Sequence, residues 1–404
     1  MKNNKFPIYL DYSATTPIDP RVVNKIIPIL KYHFGNYSSN THFYGKYIKI
    51  LIEKSRKKIS KIINCKYKEI IFTSGATESI NLALKGILNF NNKKKNHIIT
   101  LKTEHKATLN TLKELENLGY KITYLKPNKE GIINIKKLKK KINKKTILIT
   151  IMYVNNEIGV IQKIKKISNL CNKKNIFLHC DATQAIGKIN INLKKTKIDL
   201  MSFSGHKIYA PKGIGVLYIS KKSKIIIKPQ IHGGGQERGI RSGTLATHQI
   251  IGLSKSIKIL REEMKYEIIK IKILHNKLIK SLQSIEEIYI NGNIKKKVPH
   301  ILNINFNFIE GESLIMSLKN IAISSGSACT SSNLEPSYVI KSLNNKKKLP
   351  HSSIRFSIGR YTTLKEIKLL KIILKNKIIK LRNISPLWEM FKEGTNILKY
   401  KWKN

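Results

Sequence analysis

The sequence predicts an α/β protein: a large domain on a mainly parallel sheet with helices on both faces, joined to a smaller α+β domain. Three observations carry that prediction. Short apolar runs alternate with helical patterns through the first two thirds of the 404 residues, several of those runs end in polar residues, and near residue 251 the pattern changes to one long amphipathic stretch. Strands separated by helices build a parallel sheet covered on both faces. In such sheets ligands bind beyond the carboxyl ends of the strands.

The elements follow in order. "EIIFTSGATESINLALKGIL" (69–88) is a strand, a glycine turn and a helix, while "HIITLKTEH" (97–105), "TILITIMYVNNE" (146–157) and "IFLHCDATQ" (176–184) are apolar runs closing on polar residues. "IDLMSF" (198–203) is a further strand, and "PKGIG" (211–215) reads as a hairpin turn after it. Ile257, Leu260, Met264, Ile268, Ile271, Leu274 and Leu278 recur at steps of three and four, the spacing of an amphipathic helix that carries the chain out of the large domain. Beyond it, "HILNINFNF" and "SSIRFSIGR" read as strands and "TTLKEIKLLKIILKNKIIKL" as a helix opened by threonine. The expected division is 16–264 for the large domain, with 1–15 and 265–404 forming the small one. The tail "WEMFKEGTNILKYKWKN" is lysine-rich and amphiphilic, suited to a mobile or partner-binding end.

Composition removes several classes of function. No apolar run approaches the ~20 residues of a membrane helix, and the N-terminal "MKNNKFPIYLDYSATTP" has no secretory apolar core. The reading is a cytoplasmic protein with no membrane partner. Four scattered cysteines, Cys65, Cys171, Cys180 and Cys329, form no C-x-x-C pair, which argues for a reducing compartment and against a structural metal. Lys and Arg total 77 against 24 Asp and Glu, a formal charge of +53. That excess suits phosphate neutralisation, but it is spread along the whole chain without interleaved aromatics, so it reads as a solvated lysine-rich surface and not as functional nucleic-acid binding.

Two segments carry reactive groups. "AISSGSACTSSNLEP" (322–336) surrounds Cys329 with small and hydroxylated residues, the setting of a solvent-reachable loop and not of a packed core thiol. In "SFSGHKIYAPKGIGVLYIS" (202–220), Lys207 follows an apolar strand beside Ser204, Gly205 and His206, so its amine would enter the crevice at the strand's end. An amine beside hydroxyl and imidazole donors suits a Schiff base next to a phosphate. Asp181 follows an apolar run, where a carboxylate needs a partner such as a pyridinium nitrogen. "TSGATES" (73–79) places free helix N–H groups where a phosphate could sit. "HGGGQERG" (232–239) lacks the strand-before, helix-after context of a nucleotide loop.

Taken in order, "TSGATES", "TEHKA", "VNNEIG", "DATQ", "SGHK" and "RSGT" resemble the fold-type I pyridoxal-phosphate enzymes of the class V aminotransferase family, and within them the IscS-type cysteine desulfurases of iron–sulfur assembly. "IYLDYSATTP", "HGGGQERGIRSGT", "SSGSACTSSNLEPSYV" and "SPLWEM" extend the likeness over nearly the whole chain. The resemblance implies a seven-stranded-type sheet and pyridoxal 5′-phosphate held through Lys207. Asp181 would pair with the pyridine nitrogen, Gln184 with the phenolic oxygen, and His105 would stack on the ring and shuttle protons. Ala76, Thr77, Ser204, Gly205 and His206 would hold the phosphate, with Thr244 reaching across from the second subunit of a homodimer. Asn156 and Arg355 would bind the carboxylate of L-cysteine, Arg being suited to bidentate geometry. Cys329 would take the sulfur as a persulfide and pass it to an iron–sulfur cluster scaffold and other acceptor proteins, for clusters and for tRNA thiolation. Through that persulfide it would also serve as a transient [2Fe-2S] ligand shared with the scaffold. The alternatives are a selenocysteine lyase or an aminotransferase of the same fold. Two departures from the family pattern, Cys180 beside Asp181 and Tyr37 in "FGNYSSNTH", touch no assigned role, and Cys180 reads as a packed apolar residue.

Overall fold

The computed structural model describes residues 7–88, 95–223, 225–325, 336–344 and 349–395. The chain opens with β1 (Ile8–Tyr9), α1 (Pro20–Tyr32) and α2 (Phe43–Ile62). Alternation follows through β2 (Ile70–Thr73), α3 (Ala76–Leu88), β3 (His97–Leu101), α4 (Lys106–Asn117), β4 (Lys121–Leu125), α5 (Ile135–Lys141), β5 (Thr146–Thr150), α6 (Ile164–Lys174), β6 (Phe177–Asp181), β7 (Leu200–Ser204) and β8 (Gly215–Ile219). After α7 (Thr247–Leu282) come β9 (Ile288–Ile290), β10 (Ile301–Phe306), α8 (Gly311–Ser317), β11 (Ile321–Ala322), α9 (Tyr338–Leu343), β12 (Ser353–Ser357), α10 (Leu364–Asn383) and α11 (Pro386–Lys392).

The large sheet has seven strands in the order β2-β8-β7-β6-β5-β3-β4. Only β8 runs against the rest: it is antiparallel to both β2 and β7, and the other neighbours pair in parallel. The carboxyl ends of six strands therefore gather on one side. These strands are apolar on both faces because helices cover both; β3, β5, β7 and β8 are buried at every position.

β2 lies at the sheet's edge, where backbone groups face outward without a strand to pair with. Side chains close that edge. Arg56 Nη1 donates to the carbonyl of Ile70 at 2.8 Å, and the N–H of Phe72 donates to Glu237 Oε2 at 2.7 Å. Arg56 and Glu237 are themselves joined twice, at 2.6 and 2.8 Å. Glu237 and its neighbour Arg238 occupy left-handed backbone, at φ 49° and 62°, which turns both side chains toward β2. So the glycine-rich "HGGGQERG" is an edge clamp.

The second sheet is antiparallel, in the order β12-β10-β9, while β1 pairs in parallel with β11. The N-terminal strand thus lies among C-terminal elements, and Asp11 bridges Ser357. Ile257 and Leu260 of α7 belong to the apolar cluster around the large sheet, Ile271, Leu274 and Leu278 to the one around the small sheet. Met264 and Ile268 between them are half-buried. Thr363 caps α10 in the expected way, accepting from the N–H of Glu366, whose carboxylate accepts from the N–H of Thr363. The near end of the tail is packed: Phe391 of α11 stacks on both Trp388 and Phe308, and Trp388 meets Phe308 at a tilt. Residues 396–404 of that tail lie outside the described residues.

Candidate active site

A cavity of about 590 Å³ opens at the carboxyl ends of the large sheet's strands. The strands end there with different chemistry: β2 leads into Ser74 and Gly75, β3 into Glu104 and His105, β6 ends on Asp181 and β7 on Ser204. β8 begins at the same place between β2 and β7, and it begins with glycine for a spatial reason. A Cβ on Gly215 would stand 2.5 Å from Gly75 Cα, so a side chain there would displace the turn that opens α3. That turn is also tied down by the N–H of Ser74, which donates to Glu78 Oε2 at 2.7 Å, while Arg241 Nε donates to Glu78 Oε1 at 2.8 Å. The N–H groups of Ala76 and Thr77, in the helix's first turn where no helical carbonyl can receive them, stand at the cavity.

Lys207 sits on the short turn after β7, and its amine donates to the carbonyls of Ser13 and Ala14 at 2.7 and 2.5 Å. The His206 ring bonds Thr15 Oγ1 at 3.1 Å, and burial, reinforced by Lys207 and Lys212, lowers its pKa to about 4. His105 is the N-cap of α4: its Nδ1 accepts from the N–H of Ala107 at 3.1 Å. Burial lowers its pKa, with Lys207 adding to the effect and Asp181 opposing it. Because Nδ1 accepts a hydrogen bond, the ring's hydrogen is carried on Nε2.

Asp181 accepts from the N–H of Thr183 at 2.9 Å. Near it Glu104 is fully buried; its Oε2 accepts from the N–H of Met152 at 2.7 Å, and burial, then the charge of Asp181, pushes its pKa well up. Gln184 donates through Nε2 to the carbonyl of Ser13 at 2.9 Å and accepts at Oε1 from Lys188. Arg355 comes from β12 of the small sheet, with Nη2 on Asp11 Oδ1 at 2.8 Å and Nη1 on the carbonyl of Asn156 at 3.0 Å.

Of the residues singled out in the sequence, Ala76, Thr77, His105, Asn156, Asp181, Gln184, Ser204, His206, Lys207 and Arg355 line this one cavity. Gly205 packs behind it, against Ile214 and Ala210. Thr244 is exposed and lies away from the cavity of its own chain. Cys329 lies outside the described residues. Cys180 is fully buried in the apolar core, which pushes its thiol well up and leaves it a packing residue. Among the described residues no cluster of three metal-ligating side chains occurs, and no helix is long and apolar enough to cross a membrane. Glu104, Glu157 and Lys188 had no assigned role in the sequence. The first two stand in the quoted motifs "TEHKA" and "VNNEIG", whereas Lys188 is hidden among many lysines.

The polar groups of the cavity are incompletely used by the chain itself. Asn156 Oδ1, Thr183 Oγ1 and Glu104 Oε1 are buried without a hydrogen-bond partner among the described residues, and Asn156 and Thr183 line the cavity. Helix N–H groups at one end, a carboxylate at the end of β6, an amine between them and orphaned acceptors around them fit a flat, phosphorylated, carbonyl-bearing ring.

The chain belongs to the aminotransferase class-V family, which matches residues 8–370. Its fold and site define an enzyme dependent on pyridoxal 5′-phosphate. More particularly, it is 56% identical over 400 residues to "Cysteine desulfurase IscS" of Buchnera aphidicola subsp. Baizongia pistaciae, covering 98% of this chain and 99% of that one. The same name belongs to a protein of Methylobacillus flagellatus that is 54% identical over 397 residues, 98% of each chain. A solved NifS-like protein superposes with a TM-score of 0.85 at 34% identity, covering 94% of this chain and 100% of that one.

Proposed function

We propose that this cavity removes sulfur from L-cysteine, releasing L-alanine and leaving a persulfide on Cys329. The observation that carries the reading is the meeting of Lys207, Asp181, the α3 turn and Arg355 at one cavity, drawn from the ends of β7, β6 and β2 in the large sheet and from the middle of β12 in the antiparallel one. Pyridoxal 5′-phosphate, when bound, supplies an electron sink that labilises bonds at the substrate's α-carbon and, through it, the carbon–sulfur bond.

The chain's own residues do the rest. Lys207 would hold the cofactor covalently, Asp181 its ring nitrogen, Gln184 its phenolic oxygen, and Ala76, Thr77, Ser204 and His206 its phosphate. Asn156 and Arg355 would bind the substrate carboxylate; Asp11 and the Asn156 carbonyl already fix the plane of the guanidinium, so little ordering remains to be done on binding. His105 presents Nε2–H to the cavity and can take up a further proton only at Nδ1, by giving up the Ala107 bond. Taking up a proton makes the ring an imidazolium, which can deliver the Nε2 proton and return to a neutral ring, so His105 would shuttle protons in its cationic form. The thiolate of Cys329 attacks the substrate sulfur, the carbon–sulfur bond breaks, and the carbon is protonated to give alanine.

The wider setting belongs to the same reading: a cytoplasmic homodimer, divided at residues 15/16 and 264/265, whose Thr244 completes the partner's phosphate site. The homodimer is supported by an exposed aromatic group, Phe34 stacked on Tyr44 and Phe43 on Tyr47. Delivery of the sulfur to an iron–sulfur scaffold and to other acceptors accords with the likeness to relatives named cysteine desulfurase IscS; transient [2Fe-2S] ligation by Cys329 would follow from that delivery. The test is direct. Incubation of the purified chain with L-cysteine and pyridoxal 5′-phosphate is expected to release alanine and add one sulfur to the peptide containing Cys329, read by mass spectrometry. Absence of both products would overturn the reading, and alanine without the adduct would favour a lyase.

A further inference from the structure

Gln184 meets two neighbours of opposite character. The carbonyl of Ser13, 2.9 Å from Nε2, can only accept, and the Lys188 amine, whose pKa burial and then the charges of Lys207 and Arg355 lower to about 7, donates to Oε1. Rotation about the last torsion of a glutamine is soft, so sterics alone would not choose between the two orientations of the amide. The neighbours choose: turned over, the amide would set its oxygen against the Ser13 carbonyl and its N–H groups against the Lys188 amine, which in its charged form has no lone pair to receive them.

The local fold makes this pairing. After β6 the backbone turns helically, Ile186 N–H donating to the carbonyl of Ala182 and Ile189 N–H to that of Ala185. Residues four apart on such a turn face each other. The Lys188 side chain accordingly runs back to Gln184 and stands beside a void of about 10 Å³, walled also by Lys207, Tyr209, Glu267 and His300. Glu267, the one carboxylate there, is engaged by Arg360 at 2.9 Å. The lysine's polar partner is the glutamine.

We propose that Lys188 is a positioning residue for the cofactor: it locks the amide of Gln184 with the oxygen turned to the lysine and the N–H side kept for the cavity. The proposal rests on the placement of pyridoxal 5′-phosphate given above, with Gln184 at its phenolic oxygen. An unlocked amide would spend part of its time presenting oxygen to an oxygen, and the phenolic group would lose its donor.

A double-mutant cycle tests it. Full-length wild type, Lys188→Met, Gln184→Ala and the double variant are reconstituted with pyridoxal 5′-phosphate, and the dissociation constant and the position of the bound cofactor's visible band are measured. Folding of each is recorded from thermal melts without cofactor. Lys188→Met is expected to weaken cofactor binding roughly tenfold and to move the band, Gln184→Ala to do the same, and Lys188→Met to add nothing once Gln184 is gone. Equal effects of Lys188→Met in both backgrounds, or an unmoved band and dissociation constant, would overturn the lock while leaving the cofactor's placement intact. A wild type that takes up no cofactor, or a Gln184→Ala band identical to wild type, removes the placement and the lock together. Should Lys188→Met not fold, Lys188→Gln takes its place in the same cycle.

Discussion

At the open edge of β2, the side chains of Arg56 and Glu237 are each about 1% exposed and fully matched: all three guanidinium nitrogens donate and both carboxylate oxygens accept. The cavity at the strand ends also buries polar groups, but there Asn156 Oδ1 and Thr183 Oγ1 are left without partners among the described residues, as is Glu104 Oε1 near Asp181. Both arrangements cost desolvation. A closed network repays that cost within the fold, whereas an open one is repaid only when something else binds. Saturation of hydrogen bonds, more than burial of charge, distinguishes a structural clamp from a reactive site in this chain.

The contrast can be broken most sharply at Lys207. Lys207→Ala is expected to reduce alanine release from L-cysteine by at least about 10³-fold while leaving the melting temperature nearly unchanged; substantial residual turnover would remove the cavity's central group. Next comes Arg56→Met, which strands Glu237 and should cost about 3–5 kcal/mol in guanidinium unfolding. A loss below about 1 kcal/mol would mean that the edge is not held by this pair.

Glu157 sharpens the comparison through pH. It is fully buried at the cavity wall, its Oε2 accepting from the Ser337 hydroxyl, and burial raises its pKa from 4.5 to about 7 against the lowering effects of Ser337, Arg355 and Lys106. The folded chain therefore holds a proton that the unfolded chain releases above 4.5. Stability falls as pH rises through that window, by an amount on the order of 3 kcal/mol. Glu157→Gln should remove this slope, so that variant and wild type differ more at pH 8 than at pH 5 when unfolded by denaturant; parallel pH profiles would refute it. The smallest effect is expected at Asn156→Ala, which deletes an unpartnered acceptor and should change the stability of the cofactor-free chain by less than about 0.5 kcal/mol, while raising the KM for cysteine.

Much of this was legible in the sequence, for a physical reason. Strand runs, their polar ends and the glycine turn of "TSGATES" are local signals, so Lys207, Asp181 and the phosphate turn could be placed at strand ends before any tertiary contact was known. The rest is long-range. Arg56 and Glu237 are 181 residues apart, and Glu157 meets Ser337 across 180. Neither pairing leaves a mark in spacing or periodicity. Lys188 failed to stand out for another reason: among 77 basic residues a single buried amine has no compositional signature.

The floor beneath Lys207 is laid by the first residues of the chain and pinned by some of the last. Ser13 and Ala14 receive the amine, and that segment is fastened to β12, where Ser357 N–H donates to the Leu10 carbonyl at 2.7 Å and Ser13 N–H to Ser357 Oγ at 2.9 Å. During synthesis, then, the large sheet can form behind the emerging polypeptide, but its amine has no settled seat until residue 357 has left the ribosome's exit tunnel. A nascent chain halted before that point is expected to be folded over most of its length and still unable to retain its vitamin, so that acquisition of the coenzyme becomes a final step of maturation.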